Sequence, residues 1–495
     1  MMDLSLAEIG KACEGTLVLQ GTDGTCKVDS VVLDSRKATS QGVFVATVGE
    51  RVDGHRFIGE VFAGGASLVI TEKTPKQVEE EHGVPVSAWK SYLLVRDSFQ
   101  ALKELAEYYR QKLSLPIVGI TGSVGKTSTK EFIAGVLAEK YKVLKTEGNF
   151  NNEVGVPLTL LRIRPEHEVA VVEMGISDFG EMHRLSRIVR PNVCVITNIG
   201  QCHLENLKTR DGILKAKTEI FDFMDPEGWV CLNGEDDKLA AVTRVNGKKT
   251  HFFGLGSNPL EEVYATDIVS KGLWGSEATL HIRQSLAATQ AGAEGEGGSE
   301  KTLQIQVPLP GIHMVTNSAA AACVAGILGL TQEQIKEGIS KVAAVSGRNH
   351  LIRLSRYTLI DDCYNANPVS MKAALDLLAM ADTRRVAILG DMFELGENSP
   401  AMHAEVGSYA VQKGTDYILC VGGASRFMAE GASRAVDACS EHSPVIFYFA
   451  DRQSLLEELK KNRERLVPDQ STILIKASHG MVFTEVLEYL KEAGE

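Results

Sequence analysis

The stretch Gly119-Ile120-Thr121-Gly122-Ser123-Val124-Gly125-Lys126-Thr127-Ser128-Thr129 decides the fold. The apolar run before it, Leu115-Pro116-Ile117-Val118, reads as a buried strand, and Phe132, Ile133, Val136 and Leu137 after it recur at helical spacing. Strand, glycine loop and a helix opening on Lys-Thr form a phosphate cradle. Glycines let backbone N–H groups approach phosphate oxygens, and the helix N-terminus adds about half a positive charge. Gly122, Ser123, Val124, Gly125, Lys126, Thr127 and Ser128 are therefore the expected ATP contacts, with Lys126 on the terminal phosphates and the Thr127 hydroxyl on Mg²⁺. The usual form puts four residues between the first glycine and Gly-Lys. Gly119 and Gly122 both miss that spacing, so the loop is a variant and an ordinary glycine turn is the bland alternative.

Working outward, the central part of the chain, about 114–345, alternates strands and helices, which predicts a parallel sheet with its ligand beyond the carboxyl ends of the strands. Val169 to Val172 ends in Glu173, and Val193 to Thr197 ends in Asn198 with His203 close behind. If these strands flank the glycine loop, Thr127, Glu173 and His203 converge on one edge. A hydroxyl and a carboxylate are hard ligands suited to Mg²⁺; a histidine nitrogen suits it less well. Gly148 to Pro157 carries Asn149, Asn151 and Asn152, which suit hydrogen bonding to a polar ligand or, equally, a turn. Lys215 to Phe221 reads as a charged helix face. Asn317 precedes an alanine-rich helix read as Ser318 to Leu328, where position favours a helix cap over a nucleotide contact. Residues 284–300 read as a flexible hairpin tip between two strands.

Residues 1 to about 113 predict a small α/β domain, in which Ser35, Arg36, Asp53 and His55 either clamp an anion or belong to solvated turns. Ser98 to Lys112 reads as an amphipathic helix leading out of it. From about 346 to 495 a second set of strands alternates with helices, Rossmann-like in outline. Its strands end in polar clusters: Asp361-Asp362-Cys363-Tyr364-Asn365-Ala366-Asn367-Pro368, Gly390 to Gly396, and Lys476-Ala477-Ser478-His479. No Gly-x-Gly-x-x-Gly follows any of these strands, so a dinucleotide site is not indicated.

Composition narrows the class. At 495 residues the chain has room for about three domains. A net charge of −12 argues against a nucleic-acid surface. Nine scattered cysteines without C-x-x-C spacing argue against zinc and a disulfide framework, and fit a reducing compartment. No signal peptide and no membrane-length apolar run is visible. A cytoplasmic α/β protein of three domains is expected: a small N-terminal domain, a central P-loop ATPase domain and a Rossmann-like C-terminal domain.

Across all three parts, in order, these motifs resemble the Mur ligases, the ATP-dependent amide-bond-forming enzymes of peptidoglycan precursor synthesis. The carrying residues are Asp34-Ser35-Arg36 and Asp53-Gly54-His55, then Thr121 to Thr127, Gly148 to Pro157, Glu173-Met174-Gly175, His203-Leu204-Glu205 and Lys215 to Phe221. Asp362 to Pro368 with Ser370-Met371, Gly390 to Gly396 and His403 complete the set. Within the family the Asn365-Ala366-Asn367-Pro368 run points to the branch that joins D-alanyl-D-alanine to UDP-N-acetylmuramoyl-tripeptide. It points away from the scaffold-sharing folylpolyglutamate synthases. A regulatory P-loop ATPase is the rival from another class.

The resemblance implies roles that spacing does not. Lys126, Lys217 and His203 would be catalytic. Lys217 would be carbamylated and would organise Mg²⁺ with Thr127, Glu173 and His203, which reverses the bland reading of its helix. Asn317 would contact adenine, while Arg348 and Asp362 would reach the nucleotide from the third domain. Asn149, Asn151, Asn152, Tyr364, Asn365 and Asn367 would face the muramoyl-peptide or the incoming dipeptide. Ser35, Arg36, Asp53 and His55 would lie near the uridine diphosphate. A monomer is expected. The family's late Lys-Gly-Ser-Arg is here Lys476-Ala477-Ser478-His479, so a permanent charge is replaced by a histidine.

Overall fold

The computed structural model describes residues 2–49, 52–283, 300–344, 347, 350–438 and 443–495. Arg348 and nearly all of the expected hairpin tip at 284–300 lie outside the described residues.

Among the described residues three large sheets carry the chain, beside a two-stranded ribbon of Arg244–Val245 and Lys248–Lys249. The first has five strands in the spatial order Gly15–Val18, Tyr92–Val95, Leu68–Thr71, Val43–Val45, Val31–Val32, parallel except at Gly15–Val18. The helix Ser98–Lys112 leaves it with the bounds expected from its periodicity. Asp97 caps that helix by accepting the Gln100 N–H at 2.9 Å, and Leu102, Leu105, Ala106 and Tyr109 are buried on one face.

The second sheet has nine strands. Ile117–Thr121 is central, paired in parallel with Val169–Glu173 on one side and Val193–Ile196 on the other. This is the adjacency that the convergence of Thr127, Glu173 and His203 requires. All five residues of Ile117–Thr121 are buried, which is why the strand reads as an unbroken apolar run. The expected parallel sheet needs correcting at one edge. Glu261–Ser270, Ser276–Ile282 and Lys301–Val307 pair antiparallel, as hairpins covering one end of the sheet. Trp229–Asn233 and His251–Gly254, which the sequence reading did not single out, fill the gap to that edge.

The third sheet has six strands in the order His350–Arg353, Thr358–Asp361, Ser471–Lys476, Arg384–Gly390, Tyr417–Val421, Val445–Phe449. Only His350–Arg353 is antiparallel. The other five match, to within a residue or two, the strands that the apolar runs predict at Tyr357 to Ile360, Arg385 to Leu389, Tyr417 to Val421, Val445 to Phe449 and Thr472 to Ile475.

The alanine-rich helix begins earlier than expected. It spans Ile312–Ile327, so Asn317 lies inside it and the cap reading fails. Gly311, with φ +100°, starts the helix without a side-chain cap, leaving no capping residue for sequence inspection to find. Twelve of its sixteen residues are buried, because it packs between the antiparallel edge and the helix Lys126–Leu137.

Candidate active site

The glycine loop is fixed by conformation and by its neighbours. Gly122 has φ +149°, and a Cβ there would lie 1.9 Å from Thr197 Oγ1; Gly125, at φ +83°, opens the helix Lys126–Leu137. The segment after Val193–Ile196 holds the loop from the side. Thr197 Oγ1 donates to Val124 O at 2.6 Å, Asn198 Oδ1 accepts the Val124 N–H at 2.9 Å, and Ser123 N donates to Asn198 O at 3.0 Å. Lys126 Nζ donates to Gly122 O at 2.8 Å, so its ammonium sits over the loop.

Beside it, Thr127 Oγ1 donates to Glu173 at 3.0 and 3.2 Å, and Asn151 Nδ2 donates to Glu173 Oε1 at 2.8 Å. Glu173 is only 1% exposed. The sequence reading missed its counter-ion. Lys130 is buried one turn beyond Thr127, donates to Thr146 O at 2.8 Å, and lies 3.1 Å from Glu131 and 3.8 Å from Glu173. The signal was a lysine at helical spacing from Thr127, on the face that packs inward. A hydroxyl and a buried, ion-paired carboxylate form a hard oxygen donor set that fits Mg²⁺.

Lys217, His203 and Lys126 form a second group. Lys217 is fully buried in the helix Arg210–Thr218, and its Nζ has no hydrogen-bond partner among the described residues. The charged helix face expected from the sequence is thus corrected at this position. Burial pushes the Lys217 ammonium down to about 8; the neighbouring Cys202 raises it and Lys126 lowers it further. A neutral amine is the nucleophilic form of lysine. His203 is held below the usual histidine range, first by burial and then by Lys126 and Lys217, against the opposing pull of Glu394. Its Nδ1 lies 2.8 Å from Glu394 Oε2, across the cleft between the second and third domains.

Lys126, Thr127, Glu173 and His203 line one cleft of about 1260 Å³ between the central and third domains; Lys217 is not among its lining residues. It takes in the glycine loop, Asn149, Asn151, Asn152, Glu173, His203, Asn317, Asp362, Tyr364, Asn365, Asn367 and His479. Asn317 Oδ1 accepts from Thr129 Oγ1 at 2.9 Å, which aims the amide along the loop helix. Asp362 pairs with Lys476, whose Nζ also donates to Asn365 O at 2.9 Å. The Tyr364 and His479 rings are 5.5 Å apart.

Some of these side chains also carry the local fold. Asn367 Oδ1 accepts the Ser370 N–H at 2.8 Å and caps Pro368–Leu378, and Asn152 Oδ1 accepts the Gly155 N–H at 2.9 Å. The bland turn reading holds for the Asn152 oxygen; the capping role of Asn367 is not anticipated from the sequence. His403 is internal as well, its Nε2 accepting the Met392 N–H at 3.0 Å and its Nδ1 bonded to Ser399 O at 2.7 Å.

The first-domain candidates do not line this cleft. Arg36 is exposed and paired with Asp34 at 2.8 Å, on the short turn that contains Ser35. Asp53 binds Lys73 at 2.7 Å and His82 at 3.0 Å. His55 corrects the anion-clamp reading: its ring is fully buried, Nδ1 lies 2.6 Å from Asp53, and Nε2 accepts the Glu72 N–H at 3.3 Å. Its two nitrogens are used to hold the loop from beneath.

Comparison with known proteins agrees with this geometry. Residues 27–110 match the Mur ligase family catalytic domain, 120–325 the Mur ligase middle domain, and 347–479 the Mur ligase glutamate ligase domain. The chain is 34% identical over its full length to the whole of an Escherichia coli protein named UDP-N-acetylmuramoyl-tripeptide--D-alanyl-D-alanine ligase. The chain belongs to the Mur ligase family. Among solved Mur ligases, MurF from Acinetobacter baumannii superposes with a TM-score of 0.82 at 30% identity, covering 99% of this chain and 98% of that one. MurF from Thermotoga maritima, solved in complex with ADP, gives 0.75 at 26% identity, covering 94% of this chain and 97% of that one. As a Mur ligase this chain is an ATP-dependent amide ligase.

Proposed function

We infer that this ligase joins D-alanyl-D-alanine to UDP-N-acetylmuramoyl-tripeptide in peptidoglycan precursor synthesis. The observation that carries this is the full-length likeness to enzymes of that name, together with a cleft that gathers the glycine loop, Glu173 and the Asn365–Asn367 turn.

The chemistry follows from the cleft. The terminal carboxylate of the tripeptide attacks the γ-phosphorus of ATP, a P–O bond to ADP breaks, and an acyl phosphate forms. The amine of the dipeptide then attacks that carbonyl. The tetrahedral adduct loses a proton and expels phosphate, leaving the amide. Two anions meet in the first step, so Lys126 over the loop and the donated N–H groups of the helix terminus offset their repulsion. Thr127 and Glu173 hold Mg²⁺, which when bound polarises the phosphoryl oxygens. Lys130, 3.8 Å away, helps to place the Glu173 carboxylate. Asn317 contacts the adenine, and Arg348 and Asp362 complete the nucleotide site from the third domain. Asn149, Asn151, Asn152, Tyr364, Asn365 and Asn367 line the path of the peptide. Ser35, Arg36 and the Asp53 loop recognise the uridine diphosphate end, with His55 as support. The domain bounds are 1–113, 114–345 and 346–495. No helix among the described residues is long and apolar enough to cross a membrane. A cytoplasmic monomer suits small soluble substrates.

Lys217 carries a carbamate. Its buried amine, without a partner among the described residues and with its ammonium depressed to about 8, attacks carbon dioxide in the neutral form and releases one proton, turning the neutral amine into the anion that a metal site beside His203 would require. With ¹³C-bicarbonate the wild-type protein should show a carbamate carbon signal. Lys217→Gln should lose that signal and lose ligation by about 100-fold or more. Full ligation by Lys217→Gln would contradict the assignment.

A further inference from the structure

Glu394 and His203 come from different domains, and both stand in left-handed backbone conformations. Their φ angles are +62° and +50°, a region uncommon for residues other than glycine, in which asparagine, aspartate and histidine are enriched and glutamate is not. Such strain persists where surrounding contacts over-determine it. Around Glu394 they do: the Met392 N–H is taken by His403 Nε2 at 3.0 Å and the Phe393 N–H by Ser478 Oγ at 2.9 Å. His203 begins a short helical turn after the segment that clamps the glycine loop, where Ser123 Oγ donates to Gly200 O at 3.1 Å. The two strained residues meet with Glu394 Oε2 2.8 Å from His203 Nδ1.

A carboxylate can only accept, so the proton in that contact belongs to Nδ1. Glu394 faces the imidazole from the third domain, and Lys126 and Lys217 face it from the central domain. With Nδ1 engaged as the donor, the neutral ring carries its single proton there and keeps the Nε2 lone pair. We propose that Glu394 is a positioning residue, which accepts the Nδ1–H of His203 from the third domain and thereby fixes the tautomer and aim of a central-domain histidine beside Lys126. The imidazole is then set only when the third domain is seated. The contact joins domain position to the chemistry of the cleft, in the way that outer carboxylates orient site histidines. The role of His203 rests on the ligase reading above; the tautomer does not.

The test uses the full chain labelled with ¹⁵N-histidine and free of nucleotide, with the His203 signals assigned by their loss in His203→Asn. Wild-type protein should show Nδ1 protonated and Nε2 bare. Glu394→Ala should shift the ring toward the other tautomer and lower kcat about 10- to 100-fold, with the KM for ATP within about twofold. Glu394→Gln keeps an accepting oxygen at the same reach and should restore both the tautomer and most of kcat. A wild-type ring protonated on Nε2, a Glu394→Ala variant with unchanged tautomer or unchanged kcat, or a Gln variant no better than Ala would overturn the proposal. Absence of ligation by the wild-type protein would count against the ligase reading instead, because the tautomer is read without turnover.

Discussion

Glu261 is a fully buried carboxyl group with one oxygen satisfied and one left without a partner. Its Oε2 accepts the Gly256 N–H at 2.7 Å, its Oε1 has no hydrogen-bond partner among the described residues, and Glu235 is its acidic neighbour. Burial pushes Glu261 up to about 7 from an ordinary 4.5, the Gly256 N–H opposes this, and the charge of Glu235 adds to it. The folded chain thus holds this proton more tightly than the unfolded chain does. The stability it contributes is present in full below pH 4.5 and is lost as pH rises through about 7. Glu261→Gln keeps the shape without the charge. Its thermal midpoint should exceed that of the wild type at about pH 8, and the gap should close near pH 5. A constant gap across that range would refute the raised proton affinity of Glu261. Single residues were also where sequence reading was weakest. Lys217 and His55 both sit in polar stretches that look solvated, and only tertiary packing buries them. Asn317 looked like a cap because the helix before it begins on glycine and carries no polar start signal.

At the scale of elements, strands and amphipathic helices were legible because burial leaves a period in the sequence. Ser98–Lys112 and the five parallel strands of the third sheet show this. Which elements touch left no such mark. The helices Ser399–Gln412 and Ser425–Ala438 cross with their backbones in contact. A Cβ on Gly407 would lie 1.9 Å from Met428 O, and one on Gly431 would lie 2.0 Å from Ala404 O. Asp391 anchors the second helix, accepting from Ser425 N at 2.7 Å and Ser425 Oγ at 2.6 Å. Gly407→Ala gains helix propensity of about 1 kcal/mol but must force the two backbones apart. We expect a net loss of about 1–3 kcal/mol, seen as a lower urea midpoint. A midpoint equal to or above wild type would mean that the crossing relaxes freely.

Over the whole molecule, the order of motifs along the chain was enough to infer three α/β domains and a glycine loop between them. It could not show that the central sheet ends in antiparallel hairpins, since two antiparallel strands and a loop read the same wherever they dock. One of those hairpins reaches the third domain. Leu273 packs against that domain's core, and the Arg353 guanidinium lies 3.7 Å from the Trp274 ring centroid. With the His203–Glu394 contact, this seats the third domain over the cleft. Such a seat suits a ligase whose acyl phosphate must be kept from water. It also separates this protein from a nucleotide switch, which needs no second substrate between its domains. The decisive measurement is ADP release from ATP with UDP-N-acetylmuramoyl-tripeptide, with D-alanyl-D-alanine, with both and with neither. The account predicts sustained release, with one amide formed per ADP, only when both are present. ATP hydrolysis that proceeds equally without the dipeptide would contradict it.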